Sequence, residues 1–270
     1  MLGLIARPYD MTFIDPASTG VNSSAVAGFP GSNLANNDYG RVAMMATSTG
    51  GYGSFYEFDL GSSKPVDVLG VLWHNFLPNE TIRYIGSNNK NFSSPVYDSA
   101  GQPSTTGSTS RETLSLKKNL VTLPAPISAR YWRVELLISQ GSTFRQASRF
   151  FVGRGAQFAI GPQKATLGAK DLNANVTTEV GEQRSQEDQN MIRPVASLSF
   201  EYARQSEMEQ LLGQYSLSLG VSKPFLVCTD LTSPYIQDNT VFGRAEKVVT
   251  LESSIYDVWS FEAVVTSLGI

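Results

Sequence analysis

Two carboxylates, Glu57 and Asp59, stand two residues apart in the run Phe55-Tyr-Glu-Phe-Asp-Leu60. Alternate side chains of a β-strand share a face, so the pair lies about 7 Å apart by strand rise. That spacing suits a glycoside hydrolase, in which one carboxyl protonates the leaving oxygen and the other attacks or activates water. The same alternation has a plainer meaning: Tyr56, Phe58 and Leu60 form the buried face and the acids look to solvent. A Ser-His-Asp or Cys-His set would have to use His74, the single histidine. No Gly-x-Ser-x-Gly elbow occurs, and Cys228 stands in a distant part of the chain. His74 therefore reads as a strand-end histidine hydrogen-bonded to a loop. Zinc needs several His or Cys ligands, and the chain has one of each. Asp38, after Asn36-Asn37, offers hard oxygens of the kind calcium takes, but the run into Tyr39-Gly40 reads first as a turn. No phosphate loop or dinucleotide fingerprint is present; Gly50-Gly51-Tyr52-Gly53 is a glycine-aromatic loop. No catalytic residue, metal or cofactor is expected.

Aromatic rings offer a different chemistry, because their faces stack on sugar rings. Tyr52, Phe55, Tyr84, Phe92 and Tyr97 fall near predicted loops. Tyr52, Tyr84, Phe92 and Tyr97 are the candidates for contact with a glycan or a partner. The competing reading is that such rings serve a core or an interface, since aromatics dominate both.

The 270 residues suffice for one large domain or two ordinary ones. Charged residues make up 17%, below the roughly 25% usual for a soluble domain; Gly, Ser, Thr and Asn take their place. This suits an all-β chain with many turns, or a subunit largely covered by neighbours. A net charge of −3 predicts no general attraction to nucleic acid or to an anionic membrane. The lone Cys228 permits no intrachain disulfide and, within Pro-Phe-Leu-Val-Cys, reads as a small buried hydrophobe. The opening MLGLIARPYD is too short an apolar run for a signal peptide, and no run of about 18 apolar residues suggests a membrane span. Synthesis in a cytoplasm is expected.

Residues 1–160 predict short strands between turn clusters. Phe55–Leu60 is one, closed by a Gly61-Ser-Ser turn. Val66–Trp73 is nearly continuously apolar, as in a central strand covered on both faces. Thr81–Gly86 and Leu120–Leu123 follow, and Ser99–Ser110 reads as a long surface loop. From Ala129 a strand carries Trp132, Val134, Leu136 and Ile138 on one face and Tyr131, Arg133 and Glu135 on the other. Arg149–Val152 closes the set, pointing to a sandwich or jelly roll. Residues 161–192 are polar and read as an extended arm or connector, with a solvated hairpin as the equal alternative. In residues 193–270, Ala196–Tyr202 predicts a strand. A helix over 206–219 follows, with Ser206 and Glu209 as a capping box. Met208, Leu211, Leu212, Tyr215 and Leu219 lie on its apolar face, and Gly220 is its C-cap. Pro224–Thr229, Thr240–Thr250 and Val258–Ser267 complete a small β-sandwich, the last two as an antiparallel pair.

Several pieces in order resemble a discoidin-like, galactose-binding-type jelly roll. They are Tyr56-Glu-Phe-Asp-Leu-Gly, Val68-Leu-Gly-Val-Leu-Trp, Arg83-Tyr-Ile-Gly-Ser-Asn-Asn, Ala129-Arg-Tyr-Trp-Arg-Val and Phe150-Phe-Val-Gly. Such modules often bind glycans or lipid headgroups through loops at one end; their framing cysteines are missing here. The second part resembles the tube-like β-sandwich with a packed helix of siphophage distal tail proteins, through Ala196-Ser-Leu-Ser-Phe, the helix, Pro224-Phe-Leu-Val and Trp259-Ser-Phe-Glu. The resemblance implies a structural subunit of a phage tail tip or baseplate, located in the virion. Its copies would form a homo-oligomeric ring, six-fold ahead of three-fold. Tail tube protein, baseplate hub and tail fibres would be its neighbours, and Leu211, Leu212, Tyr215, Phe225 and Trp259 would serve the ring domain. The decorating module would precede the ring domain, the reverse of the order in many distal tail proteins. The alternative it leaves open is a carbohydrate- or receptor-binding module at a host surface.

Overall fold

The computed structural model describes residues 3–14, 28–36, 41–46, 55–77, 80–100, 102–103, 117–137, 144–158, 162–171, 192–211, 223–246, 251–255 and 257–268. The chain is mainly β. Its strands are β1 (Leu4–Pro8), β2 (Thr12–Phe13), β3 (Ala43–Ala46), β4 (Phe55–His74), β5 (Thr81–Ser87), β6 (Pro95–Asp98), β7 (Gln102–Pro103) and β8 (Lys117–Leu137). There follow β9 (Phe144–Ala147), β10 (Arg149–Gln157), β11 (Lys164–Asp171), β12 (Ile192–Arg204), β13 (Phe225–Cys228), β14 (Thr240–Ala245), β15 (Leu251–Ile255) and β16 (Val258–Ser267). One helix, α1 (Gln205–Leu211), and a 3-10 turn at Gly31–Ala35 complete the described elements.

Fourteen strands share one hydrogen-bonded sheet in the order β11-β12-β16-β14-β13-β1-β10-β4-β8-β5-β6, with β2, β7 and β15 paired alongside; β3 and β9 pair separately. The core of the first unit is built on the inward faces of β4, β8, β5 and β10: Tyr56, Phe58, Leu60, Leu69, Val71, Ile82, Tyr84, Trp132, Val134, Leu136, Phe150 and Val152. It is a jelly-roll sandwich closed by the β3–β9 pair, whose Ala43 and Ala147 join that core. Gly86 leaves room for the indole: a Cβ there would lie 3.0 Å from Trp132. A second, smaller core packs Phe158, which lies within residues 1–160, against Phe200, Phe261, Leu198, Val265 and Met208 of α1 from the second unit.

A turn expected at Gly61-Ser-Ser, and a break between two expected strands, are absorbed into long strands. Gly61-Ser-Ser does not end a strand. It is an irregularity within β4, where pairing with β8 shifts between Asp59 and Lys64. Gly61 takes φ +78 and donates its N–H to Asp59 Oδ1 at 2.7 Å, so a local Asx contact bends the strand without stopping it. Likewise Leu120–Leu123 and the strand from Ala129 are both β8. Within the Ser99–Ser110 stretch, Gln102–Pro103 pairs with β5; residues 104–110 lie outside the described residues. Residues 164–171, expected in a connector or hairpin, are a strand pairing with β12 from Lys164↔Ser199 to Asp171↔Ile192.

The helix begins earlier than its capping signal indicates. Gln205 is its first residue, and Glu207 reaches back to accept the Arg204 N–H at 2.9 Å. That is the reciprocal half of a capping box, set two residues before the Ser206–Glu209 pair. Asp257 Oδ1 takes the Gln205 N–H at 3.1 Å, so a tertiary acceptor decides the start. Residues 212–219 lie outside the described residues. Val66–Trp73 is buried on both faces as its composition predicts: Val66, Leu69 and Val71 meet the first core, and Val68, Leu72 and Trp73 meet a third cluster. That cluster also holds Leu226, Cys228 and Phe242 from the second unit.

Candidate functional site

Where the inward faces of β4, β8 and β5 make a core, their outward faces make a grid. Strand register sets Phe55, Glu135 and Arg83 in one row, Glu57, Arg133 and Ile85 in the next, and Asp59, Tyr131 and Ser87 in the third. Direct cross-strand neighbours have Cβ atoms about 5 Å apart, within reach of long charged side chains. An ion-pair chain therefore crosses the sheet. Asp98 on β6 binds Arg83 through both carboxylate oxygens, and Arg83 Nη1 donates to Glu135 at 3.1 Å. Arg133 donates from Nη1 to Glu135 at 3.3 Å, and from Nε and Nη2 to Glu57 Oε1 at 2.9 and 2.5 Å.

The Arg133 guanidinium also lies over two rings, 4.6 Å from the Phe55 centroid and 4.4 Å from that of Phe92. Phe92 reaches it from the β5–β6 hairpin with φ +54, a conformation bulky residues rarely take. An Asx contact from Asn91 to the Ser93 N–H and a bond from the Phe92 N–H to Asn89 O shape this turn. Asn88 ties the hairpin to β8: its Oδ1 accepts the Arg130 N–H at 3.1 Å and its Nδ2 donates to Ser128 O at 3.3 Å.

The third row is open to solvent only at its β4–β8 end, since Ser87 is wholly buried and Asp59 and Tyr131 are half-exposed. Arg130 binds Asp59 in parallel, Nε to Oδ1 and Nη2 to Oδ2, both at 2.8 Å. Its guanidinium lies 4.9 Å from the Tyr131 centroid. The side chains are 42% and 24% exposed, and Asn88, Asn89, Lys90 and Asn91 beside them are exposed. A guanidinium has five N–H donors, so three remain beyond the two given to Asp59. Hydrogen bonding from Arg130, together with the Gly61 N–H and the nearby charge of Lys90, holds the Asp59 carboxyl below its ordinary value despite partial burial.

These facts bear on the carboxylate pair. Glu57 is not solvent-facing, as alternation alone suggests; it is 5% exposed and covered by Arg133 and the rings upon it. Asp59, kept ionised, lacks the raised pKa of a general acid. His74 is buried at the end of β4, its ring stacked 4.4 Å from Phe76, with Nδ1 accepting the Phe76 N–H at 3.3 Å. It is the strand-end, loop-bonded histidine the sequence predicts. Among the described residues no group of three or more His, Cys, Asp or Glu could hold a metal ion; Asp38 lies outside them.

The aromatic candidates separate. Tyr84 is fully buried, stacked parallel to Phe150 at 5.9 Å, with its hydroxyl donated to Asn119 Oδ1; it is a core residue and not a surface contact. Its strand was legible, but which face turned inward depended on pairing with β8. Tyr97 is half-buried against Trp132 at 6.1 Å, and Phe92 lies on the outward face over Arg133. Tyr52 lies outside the described residues. In the second unit Phe225 is buried and Trp259 packs half-buried on the same core. Leu212 and Tyr215 lie outside the described residues, as does the side chain of Leu211. Arg83, Arg130 and Asp98 carry the face, yet the sequence did not single them out. The outward set Tyr131, Arg133 and Glu135 was visible as alternation; its facing carboxylates required the register.

No family model matches the chain, and no curated protein matches it. Solved structures do. The family 32 CBM from C. perfringens NanJ, in complex with galactose, is 15% identical, with 56% of this chain and 99% of that one covered and a TM-score of 0.40. CBM32-1 from a family 31 glycoside hydrolase of Clostridium perfringens is 12% identical, with 54% and 96% covered and a TM-score of 0.37. Chitosan-binding module 1 from a chitosanase/glucanase of Paenibacillus sp. IK-5 is 16% identical, with 54% and 94% covered and a TM-score of 0.39.

Proposed function

We propose that this chain is a non-catalytic recognition protein whose first unit binds a hydroxyl-rich ligand, a carbohydrate, on the outward face of β4, β8 and β5. The observation that carries this reading is the solvent-reaching Asp59–Arg130 pair at the β4–β8 end of the third row. A parallel guanidinium–carboxylate pair on rigid strands sits beside exposed asparagine amides and the Tyr131 ring. Vicinal sugar hydroxyls donate and accept at once, and such a row offers both partners at fixed spacing, while an aromatic ring takes the apolar face. Strands hold these groups more firmly than loops would. Titration of the purified chain with a panel of mono- and oligosaccharides tests the reading. Binding that disappears in Arg130→Ala and Asp59→Asn, with folding intact by circular dichroism, supports it. Binding retained in both variants sinks this site.

A second reading is a structural subunit of a phage tail tip or baseplate, assembled as a ring on neighbouring tail proteins. What supports it is β11, which stands at the end of the described sheet order with Leu167 45% exposed. Such an edge can pair with another chain. The mass of the purified protein in solution discriminates, since a ring component self-associates and a free-standing module stays monomeric.

A further inference from the structure

Among the described strands, one carries the sheet pairing from the first unit to the second. That strand is β1, which links β10 of the first unit to β13 of the second. It pairs with β10 from Leu4↔Gln157 to Pro8↔Gly153, and with β13 from Leu4↔Cys228 to Ala6↔Leu226. Its side chains serve both sides of the junction: Ile5 enters the second unit's core, while Leu4 and Ala6 enter the cluster shared with Val68, Phe151, Leu226 and Phe242. Leu4 and Ala6 are wholly buried and Ile5 nearly so.

The groove is cut for this segment. A Cβ on Gly153 would stand 2.0 Å from Arg7 O, and one on Gly155 2.7 Å from Leu4 Cδ1. Beyond the strand, Tyr9 donates its N–H to Val152 O and its hydroxyl to Pro65 O, both at 2.8 Å, and Lys64 Nζ lies 5.1 Å from its ring centroid. Apart from β1, the junction includes Ala156 of β10 and Phe158, which enter the second core, the Phe242 contacts with Trp73 and Phe151, the Lys223–Asp10 pair at 3.4 Å and Lys118, which donates to Gln237 O and Thr240 O at 3.0 and 2.6 Å.

We propose that β1 is a coupling strap. Its seating between β10 and β13 makes the two units one cooperative body, and its release is the opening event that lets them move independently. Among the described strands, β1 supplies the sheet pairing across the junction, so its loss removes that pairing together, whereas each core loses at most one residue of β1.

Hydrogen exchange followed by mass spectrometry on the full chain, with calorimetry, tests this. In the unaltered protein β1 amides exchange as slowly as those of β10 and β13, and melting is a single transition. Ala6→Ser, a mild change at a wholly buried site, speeds exchange of β1 and β13 about tenfold or more and leaves the β4–β8 amides unchanged, the pattern of a local opening. Ala6→Asp splits the melting curve into two transitions. Loop-like exchange of β1 in the unaltered protein would overturn the proposal. So would two transitions before any substitution, or a uniform loss of protection across both units in Ala6→Ser.

Discussion

Arg133 illustrates how the outward face is held at the residue scale. Its charge meets Glu57 and Glu135 and its guanidinium lies over the rings of Phe55 and Phe92. Removing it leaves the Glu57 carboxylate, 6% exposed, beside an apolar gap. Arg133→Leu is expected to cost about 3 kcal/mol, the usual penalty for stripping one partner from a buried pair, read as a lower urea midpoint. Acid acts on the same face. Arg130 lowers the Asp59 pKa and Arg83 lowers that of Asp98, in each case chiefly by side-chain hydrogen bonds. A carboxyl whose folded pKa is depressed stabilises the native state fully above its unfolded value of 3.8. That stabilisation is lost as pH falls through the lower folded value. The native state should therefore weaken on acidification below about pH 4, and Asp59→Asn should flatten the stability curve in that window. An unchanged curve would mean that the pair contributes nothing.

At the scale of elements, glycines decide where strands may approach. A Cβ on Gly243 would lie 2.0 Å from Thr266 O, across the β14–β16 pair. Backbone cannot yield as a flexible side chain can, so Gly243→Val should part β14 from β16. The expected result is a melting temperature lowered by at least about 5 °C, corresponding to a loss of more than 1 kcal/mol. A smaller shift would show that the strand can retreat. The strands themselves were legible from alternation wherever one face was buried, as in Phe55–Leu60 and the strand from Ala129. Their lengths were not. Gly61-Ser-Ser carries turn composition, and only pairing with β8 carries the strand through it. The start of α1 was misplaced for a related reason: Ser206 is a good cap by type, but Glu207 and Asp257 supply the bonds.

For the whole molecule, the junction buries Cys228 and one face of the Val66–Trp73 stretch, whose other face lies in the first core, so the first unit's central strand also serves the second. The proposed recognition through the outward face would require no second copy, because Asp59, Arg130, Asn88 and Tyr131 all come from one chain. Light scattering after size exclusion should then give a mass near 29.3 kDa. A closed oligomer would favour the ring reading and direct attention to the β11 edge.

The sequence by itself determined the β class, the inward stripes, the double burial of Val66–Trp73, the buried cysteine and the structural role of His74. Each of these follows from side-chain type and a period of two along a single strand. Only the tertiary structure decided that Tyr84 is core, that Glu57 faces Arg133 and Asp59 meets Arg130, and that residues 4–8 join the two units. Those outcomes depend on which strands pair and in what register, and a shift of one residue exchanges the two faces of a strand. Strand register is set by contacts between residues up to about two hundred positions apart, as between Ala6 and Leu226, and no local pattern encodes them.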